Sequence, residues 1–320
     1  MSGVRLPPAL LRPGVRQLGR ILDPGLAWEV QRRRLDAAMK ATLVPRGTSV
    51  TTASLNGVPA EVVTARRAGL DGAGTAAPGR TVLHFHGGGY CVGSPRMART
   101  WAAHLSARTG AQVVLPDYRL APPHAHPAAL DDAHAVLSAL LGDAAPASIV
   151  VSGDSAGGGL ALSLLVALRD TGAPLPAGCI LMSPWLDLTR DRAADPALVR
   201  RELLLNPPWL RACATAYADP AAWADPGVSP LRAPHHGLPP LLIQAASDDL
   251  LAPDAAALAA SAHTVGTEVT YTRWPRMWHG FALLPGLVAA ADSALHQSAH
   301  FVTTVTPRQD PPRIPHPGSS

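Results

Sequence analysis

A serine in a glycine-rich turn is the feature of this sequence best suited to chemistry. Residues 153–157 read Gly-Asp-Ser-Ala-Gly, with the strand-like run 148–151 before them and an apolar helical stretch after them. A sharp strand-to-helix turn exposes the central serine, and crowding requires glycine two residues to either side. The N-terminus of the helix directs free N–H groups at the same point. The pattern predicts that Ser155 is a nucleophile for acyl transfer.

A second glycine run offers donors for the negative charge that acyl transfer creates. Residues 86–90 read His-Gly-Gly-Gly-Tyr, directly after the strand-like run 81–85. Glycines let the main chain approach a substrate carbonyl closely. The candidate oxyanion donors are the N–H groups of Gly87, Gly88, Gly89 and Ala156. A triple glycine also occurs in phosphate loops, but no Lys-Ser or Lys-Thr pair follows and Pro95 comes soon after. The two segments together favour acyl transfer over a merely connecting turn.

A serine hydroxyl needs a base to take its proton and a carboxylate to orient that base. Among 13 histidines, His279 lies in a loop after the strand-like run 268–273 and ahead of a terminal helix. The strand-like run 240–245 is followed shortly by Asp248 and Asp249, and functional groups gather at the carboxyl ends of parallel strands. Either aspartate could serve as the acid, and Asp248 is nearer to the strand end.

The elements around these residues form a regular alternation. Short apolar runs predict strands at 81–85, 111–115, 148–151, 178–182, 240–245 and 268–273. Helical stretches such as 128–141 and 156–169 lie between them, which predicts a mainly parallel sheet with helices on both faces. Residues 49–65 predict a hairpin with Asn56 and Gly57 at its turn, and therefore an antiparallel edge.

The chain of 320 residues is long enough for one large α/β domain. Residues 1–48, with a helical pattern over 26–42, are expected to form N-terminal cap helices. Residues 49–306 are expected to form the core, with a cap insertion at about 187–228. The tail 307–320 contains five prolines and is expected to be disordered and without a catalytic role.

Composition argues against several other classes of protein. An apolar share of 47% and a charged share of 16% are typical of a packed, soluble enzyme. The basic run 32–34 lies beside Glu29 and Asp36, which favours a solvated helix face over a nucleic-acid site. Three widely spaced cysteines match neither a metal site nor a disulfide framework. No long apolar segment occurs, so we expect a cytoplasmic protein without nucleic-acid or membrane partners.

The motifs resemble those of the hormone-sensitive-lipase-like, or bacterial family IV, esterases. The matching segments are His-Gly-Gly-Gly at 86–89, Asp-Tyr-Arg-Leu-Ala-Pro at 117–122, Gly-Asp-Ser-Ala-Gly-Gly at 153–158, Ser-Pro-Trp-Leu-Asp at 183–187 and Trp-His-Gly-Phe at 278–281. They follow one another in the family's order. The resemblance implies an α/β-hydrolase fold with a helical cap, and Ser155 as nucleophile with Asp248 and His279 as its partners. It also implies an oxyanion hole at Gly87 to Gly89 and Ala156.

The predicted reaction is hydrolysis of a small-molecule carboxylic ester through an acyl-enzyme, with no metal or cofactor. Nothing in the chain resembles a long lipid-binding lid, so short or medium acyl chains are expected. The candidate pocket residues are Tyr90, Trp209, Tyr217 and Trp278, with ordinary packing as the alternative for each. Amide deacetylation, lactone hydrolysis or another reaction on the same triad are alternatives, as is a non-catalytic ligand-binding protein. For the oligomeric state, a homodimer is the option that we carry forward.

Overall fold

The computed structural model describes residues 5–40, 44–65 and 79–306. Within these ranges the strands are β1 Thr48–Leu55, β2 Val58–Ala65, β3 Thr81–Phe85, β4 Gln112–Pro116, β5 Ile149–Asp154, β6 Gly178–Met182, β7 Leu241–Asp248 and β8 Val269–Trp278. The α-helices are α1 Pro8–Gly19, α2 Trp28–Met39, α3 Arg99–Thr109, α4 Ala128–Asp143, α5 Ala156–Asp170, α6 Pro196–Arg201, α7 Pro207–Tyr217, α8 Ala252–Thr264 and α9 Ala289–Val305. The expectation for the tail 307–320 lies outside the described residues.

The strands form a single sheet in the order β1-β2-β4-β3-β5-β6-β7-β8. The hairpin β1–β2 is antiparallel and turns at Asn56 and Gly57, both with positive φ, and β2 also pairs antiparallel with β4. All the other pairings are parallel. The carboxyl ends of β3, β5, β7 and β8 therefore meet at one edge of the sheet. This arrangement confirms the expected α/β fold and its antiparallel edge.

The last two strands are longer than the sequence pattern indicated. β7 continues to Asp248 and β8 to Trp278, and these two residues pair across the strands. An irregularity in register lies between Ala246 and Asp248. Such bulges bend a strand and redirect its side chains. Asp248 is thus the last residue of β7, and Asp249 is the first residue beyond it.

Helices cover both faces of the sheet and create two apolar clusters. Val150 and Val151 are consecutive on β5 but belong to different clusters, because successive side chains of a strand point to opposite faces. The cluster with Val151 includes side chains of α4, α5 and α8, and the cluster with Val150 includes those of α3 and α9. The carboxyl edge of the sheet lies between these two layers.

Two further groups of helices lie outside this alternation. α1 and α2 fall within the proposed N-terminal cap 1–48, and α6 and α7 fall within the proposed insertion 187–228. α1 has no buried residues, and the chain just before it is tied to the core where Leu6 N donates to Leu287 O at 2.9 Å. Across the described ranges, no helix combines the length and apolar character that crossing a bilayer requires.

Candidate active site

Ser155 occupies a strained turn between β5 and α5. Its φ of 54° and ψ of −123° are unusual for a residue with a side chain, and its N–H donates to Met182 O at 3.0 Å. The flanking glycines are required by space. A Cβ at Gly153 would lie 2.1 Å from Gly157 O, and one at Gly157 would lie 2.0 Å from Phe85 O. The motif thus has the geometric cause expected of it, and Ser155 lies at the sheet's carboxyl edge.

His279 follows β8 and is paired with a buried carboxylate. Its Nδ1 lies 3.0 Å from Asp249 Oδ2, and both residues are buried. Because an ionised carboxylate only accepts hydrogen bonds, Nδ1 carries a proton, and in the neutral ring Nε2 has a free lone pair. Burial disfavours the imidazolium, but the charge and hydrogen bond of Asp249, together with the charges of Glu202 and Asp154, outweigh it and raise the pKa of His279 to about 9. Asp249 is itself fixed by the N–H of Leu251 at 2.8 Å.

Asp248, the expected partner of His279, faces elsewhere, so the predicted pairing is corrected to Asp249, the alternative that the sequence left open. The Asp248 carboxylate accepts from Arg12 Nη2 at 3.1 Å and lies 3.5 Å from Arg201 Nε. The cause is the length of β7. Asp248 still belongs to the strand and pairs with Trp278, whereas Asp249 is the first residue after it.

The glycine loop contributes donors, although fewer than expected. Gly87 N donates to Asp154 Oδ1 at 3.0 Å, so its N–H is already used and its role as an oxyanion donor is corrected. Within the described residues, the N–H groups of Gly88 and Gly89 have no hydrogen-bond partner. Ala156 is the first residue of α5, a position whose N–H has no partner within the helix. These three groups are the donors that the geometry leaves available.

Asp154 joins the nucleophile turn to the glycine loop, a role that the sequence motif did not reveal. Besides Gly87 N, its Oδ1 accepts from His84 Nε2 at 3.2 Å, and His84 Nδ1 lies 3.1 Å from Ser152 Oγ. All these side chains are buried. Since Asp154 directly precedes Ser155, this network holds the donor loop in fixed register with the nucleophile.

Ser155 and His279 line one cavity of about 810 Å³. Gly88 and Asp154 also belong to its wall. The rest of the wall is mainly apolar and comes largely from α1, α2, the stretch between α6 and α7, and the loop after β8, with Thr100 and His104 of α3 as polar members. Its aliphatic members include Val15, Leu18, Leu22, Leu35, Met39, Leu204, Leu205, Leu283, Leu284 and Leu287. The arrangement presents a nucleophile, a base and N–H donors to a ligand with a large apolar part.

Comparison with known proteins identifies the family. Residues 82–283 match the sequence profile described as the alpha/beta hydrolase fold. The chain belongs to this family. It is 40% identical over 233 residues to an acetyl-hydrolase of Streptomyces hygroscopicus, which covers 71% of this chain and 77% of that protein. It is 35% identical over 226 residues to an esterase of Acinetobacter venetianus, covering 70% and 75% respectively.

Solved structures give the same result within this family. A hormone-sensitive lipase from a metagenome library superposes with a TM-score of 0.84 at 31% identity, covering 94% of this chain and 99% of that one. An esterase from the bacterial hormone-sensitive lipase family gives 0.83 at 29% identity, with 94% and 100% covered. The resemblance inferred from the motifs and the expectation of an ester-hydrolysing enzyme are confirmed.

The four aromatic pocket candidates of this hydrolase-fold chain separate into two pairs. Trp209 and Trp278 line the cavity. Tyr90 and Tyr217 do not, because their buried rings stack on each other with centroids 3.8 Å apart. Their selection as pocket residues is corrected to packing. Trp209 is oriented by its indole N–H, which donates to Gln31 Oε1 at 2.8 Å.

The apolar wall supplied by α1 was not found from the sequence. Val15 and Leu18 line the cavity because α1 lies across the carboxyl edge of the sheet. No local sequence pattern predicts that position of the helix. Over residues 5–40, 44–65 and 79–306, no cluster of three or more His, Cys, Asp or Glu side chains is arranged to hold a metal ion.

Proposed function

We propose that this chain hydrolyses carboxylic esters through an acyl-enzyme on Ser155. One observation carries the proposal. The hydrogen bond of 3.0 Å between His279 Nδ1 and Asp249 Oδ2 leaves Nε2 as a proton acceptor, and His279 shares a cavity wall with the strained Ser155. A nucleophile, a base and an acid that orients the base are the parts that serine hydrolysis needs.

The reaction follows from these positions. His279 Nε2 takes the Ser155 Oγ proton as Oγ attacks the ester carbonyl. The oxyanion that forms accepts hydrogen bonds from the N–H groups of Gly88, Gly89 and Ala156. The imidazolium, stabilised by Asp249, then gives its proton to the leaving alkoxide and the alcohol departs. His279 Nε2 next takes a proton from a water molecule as the water oxygen attacks the acyl-enzyme carbonyl. It then returns that proton to Ser155 Oγ as the bond between Oγ and the acyl carbon breaks and the carboxylic acid product leaves.

The cavity supports a small-molecule ester with a short or medium acyl chain. Its volume of about 810 Å³ lies within the range of about 300–1,000 Å³ typical of small-molecule sites. Relatives named acetyl-hydrolase and esterase support the same substrate class. The apolar wall from α1 and α2 leaves room for more than an acetyl group, so we propose that the acyl range extends to medium chains.

Labelling tests the proposal directly. Wild-type protein and the Ser155→Ala variant are treated with a fluorophosphonate and measured by intact mass, beside hydrolysis of a p-nitrophenyl acyl series. We expect one adduct in the wild type, none in the variant, and turnover that falls as the acyl chain lengthens. An adduct with turnover only of amides or lactones would replace the ester proposal by another reaction on the same triad. Folded wild-type protein with neither adduct nor turnover would indicate the ligand-binding alternative.

Location and assembly are proposed on separate grounds. Cys91, Cys179 and Cys213 are buried free thiols, which supports a reducing compartment, and we propose a cytoplasmic location. Cell fractionation tests it, and recovery in the secreted fraction would contradict it. A homodimer stays a prediction that sedimentation velocity would check.

A further inference from the structure

A buried carboxylate in the cap connects the two sides of the active-site cavity. Glu202 follows α6, and its side chain accepts four main-chain N–H groups. Oε1 accepts from Leu203 at 2.8 Å, Leu204 at 2.9 Å and Leu205 at 3.3 Å. Oε2 accepts from Leu250 N at 3.0 Å. One side chain therefore holds two segments of chain that are distant in sequence.

Both segments belong to the proposed catalytic machinery. Leu204 and Leu205 line the cavity. Leu250 directly follows Asp249, whose Oδ1 accepts from Leu251 N at 2.8 Å. The short turn that carries the acid is thus held by Asp249 itself from one side and by Glu202 from the other. If the contact of Glu202 with Leu250 N were lost, the turn would be free to move relative to His279.

Glu202 also places a second carboxylate near the Asp249–His279 pair. Burial and the charge of Asp249 raise the pKa of Glu202 to about 7, against the opposing influence of His279 and of its hydrogen bonds. In turn Glu202, after Asp249 and ahead of Asp154, favours the charged form of His279.

We infer that Glu202 is a positioning residue of this esterase. It locks the turn that carries Asp249 to the cavity wall, and it holds negative charge beside the Asp249–His279 pair. The inference rests on the proposed function, since it concerns the same triad. A residue that only braced the cap would affect the stability of the protein and leave the rate and its pH dependence unchanged.

Two substitutions separate the effect of the Glu202 charge from the effect of the length of its side chain. In Glu202→Gln the charge is lost, and the amide cannot accept N–H groups at both ends. We expect kcat to fall about 10- to 100-fold with KM little changed, because small displacements of catalytic groups cost up to about 10²-fold. The acid limb of kcat/KM should move about one pH unit lower, since a neighbouring negative charge stabilises the imidazolium. In Glu202→Asp the charge remains but the arm is shorter, so kcat should fall while the limb stays in place.

The matched control is Asp132→Asn. Asp132 is also a buried carboxylate that accepts a main-chain N–H, from Arg119 at 2.8 Å, but it does not line the cavity. We expect this variant to melt at a lower temperature and to keep the wild-type kcat and pH profile. The control shows that removing a buried carboxylate is not by itself enough to change catalysis.

Opposite results overturn the inference. A Glu202→Gln variant with wild-type kcat and an unmoved acid limb would reduce Glu202 to a brace of the cap. If that variant does not fold, a pH titration of the wild-type protein by NMR tests the inference instead. The imidazole proton resonance of His279 is assigned by its absence in His279→Gln. Its chemical shift should show two inflections with pH, one near pH 7 from Glu202 and one from His279 itself. A single inflection would refute the coupling between the two groups. If folded wild-type protein formed no fluorophosphonate adduct, that result would instead refute the proposed function.

Discussion

Asparagine substitutions at two adjacent aspartates test the assignment of the acid most sharply. Asp249→Asn retains the size of the side chain and an oxygen for Leu251 N, but it places an amide NH₂ against His279 Nδ1. The ring then favours the tautomer with its proton on Nε2, which cannot accept the proton of Ser155. Asp248→Asn makes the same chemical change one residue earlier and leaves the 3.0 Å bond between His279 and Asp249 in place.

The two substitutions should differ greatly in cost. A triad held in the wrong tautomer loses about 10⁴ in kcat, which corresponds to about 5.5 kcal/mol of transition-state stabilisation. Asp248→Asn weakens contacts with Arg12 and Arg201, whose side chains are 29% and 49% exposed. Solvent screening limits such pairs to at most about 1 kcal/mol of stability. We therefore expect kcat of Asp248→Asn to remain within about threefold of the wild type.

The assay is the initial rate of p-nitrophenyl butyrate hydrolysis at saturating substrate. Circular dichroism and thermal melts establish that each variant is folded, so that a lost rate is not a lost fold. A loss of a thousandfold or more in Asp248→Asn, with Asp249→Asn within about tenfold of the wild type, would return the role of acid to Asp248 and refute the geometric assignment.

Three other results are expected. The acid limb of kcat/KM should lie above pH 6.5, the ordinary pKa of imidazole, because the pKa of His279 is raised to about 9 and only the neutral ring accepts a proton. A pH series followed at an isosbestic wavelength checks this, and an acid limb at or below pH 6.5 contradicts it. Gly88→Ala should lower both melting temperature and kcat, since its φ is +115° and a Cβ would lie 2.0 Å from Val92 O; unchanged melts and rates would show that the loop can move aside. Leu18→Trp should fill part of the cavity and reduce turnover of longer acyl esters while sparing acetyl esters, and an unaltered acyl-chain profile would place the acyl group elsewhere.

The elements that the sequence predicted well are those whose cause is local. β3 and β6 begin and end where the apolar runs 81–85 and 178–182 do, because buried parallel strands appear as continuous apolar segments. The nucleophile turn was equally predictable, since α5 begins at Ala156 and Gly153 is required by the backbone of Gly157 within the same turn, although Gly157 itself is required by Phe85 O on β3. The motif 153–157 indicates this turn from its own residue types, even where the contact that requires a glycine comes from another strand.

The acid could not be assigned in this way, because its identity depends on where β7 ends. Successive residues of a strand face opposite sides, so extending a strand by a few residues and inserting one irregularity decides which of two adjacent aspartates meets the histidine. The apolar pattern weakens after Ala245, whereas pairing with β8 continues to Asp248. His279 was easier to identify, since it is the only histidine in the loop after β8.

The same reasoning explains why Glu202 and the α1 side of the cavity were missed. Glu202 has no motif around it, and its importance comes from Leu250 N, 48 residues away in sequence. In the sequence Leu18 is an ordinary apolar residue of a surface helix, and only the folded position of α1 places it in the same cavity wall as Ser155. In this chain the residues that hold the turn carrying Asp249 and shape the pocket therefore lie outside the motifs that identify the reaction. For this chain, those are the residues whose substitution should change rate profile and acyl range without removing the reaction itself.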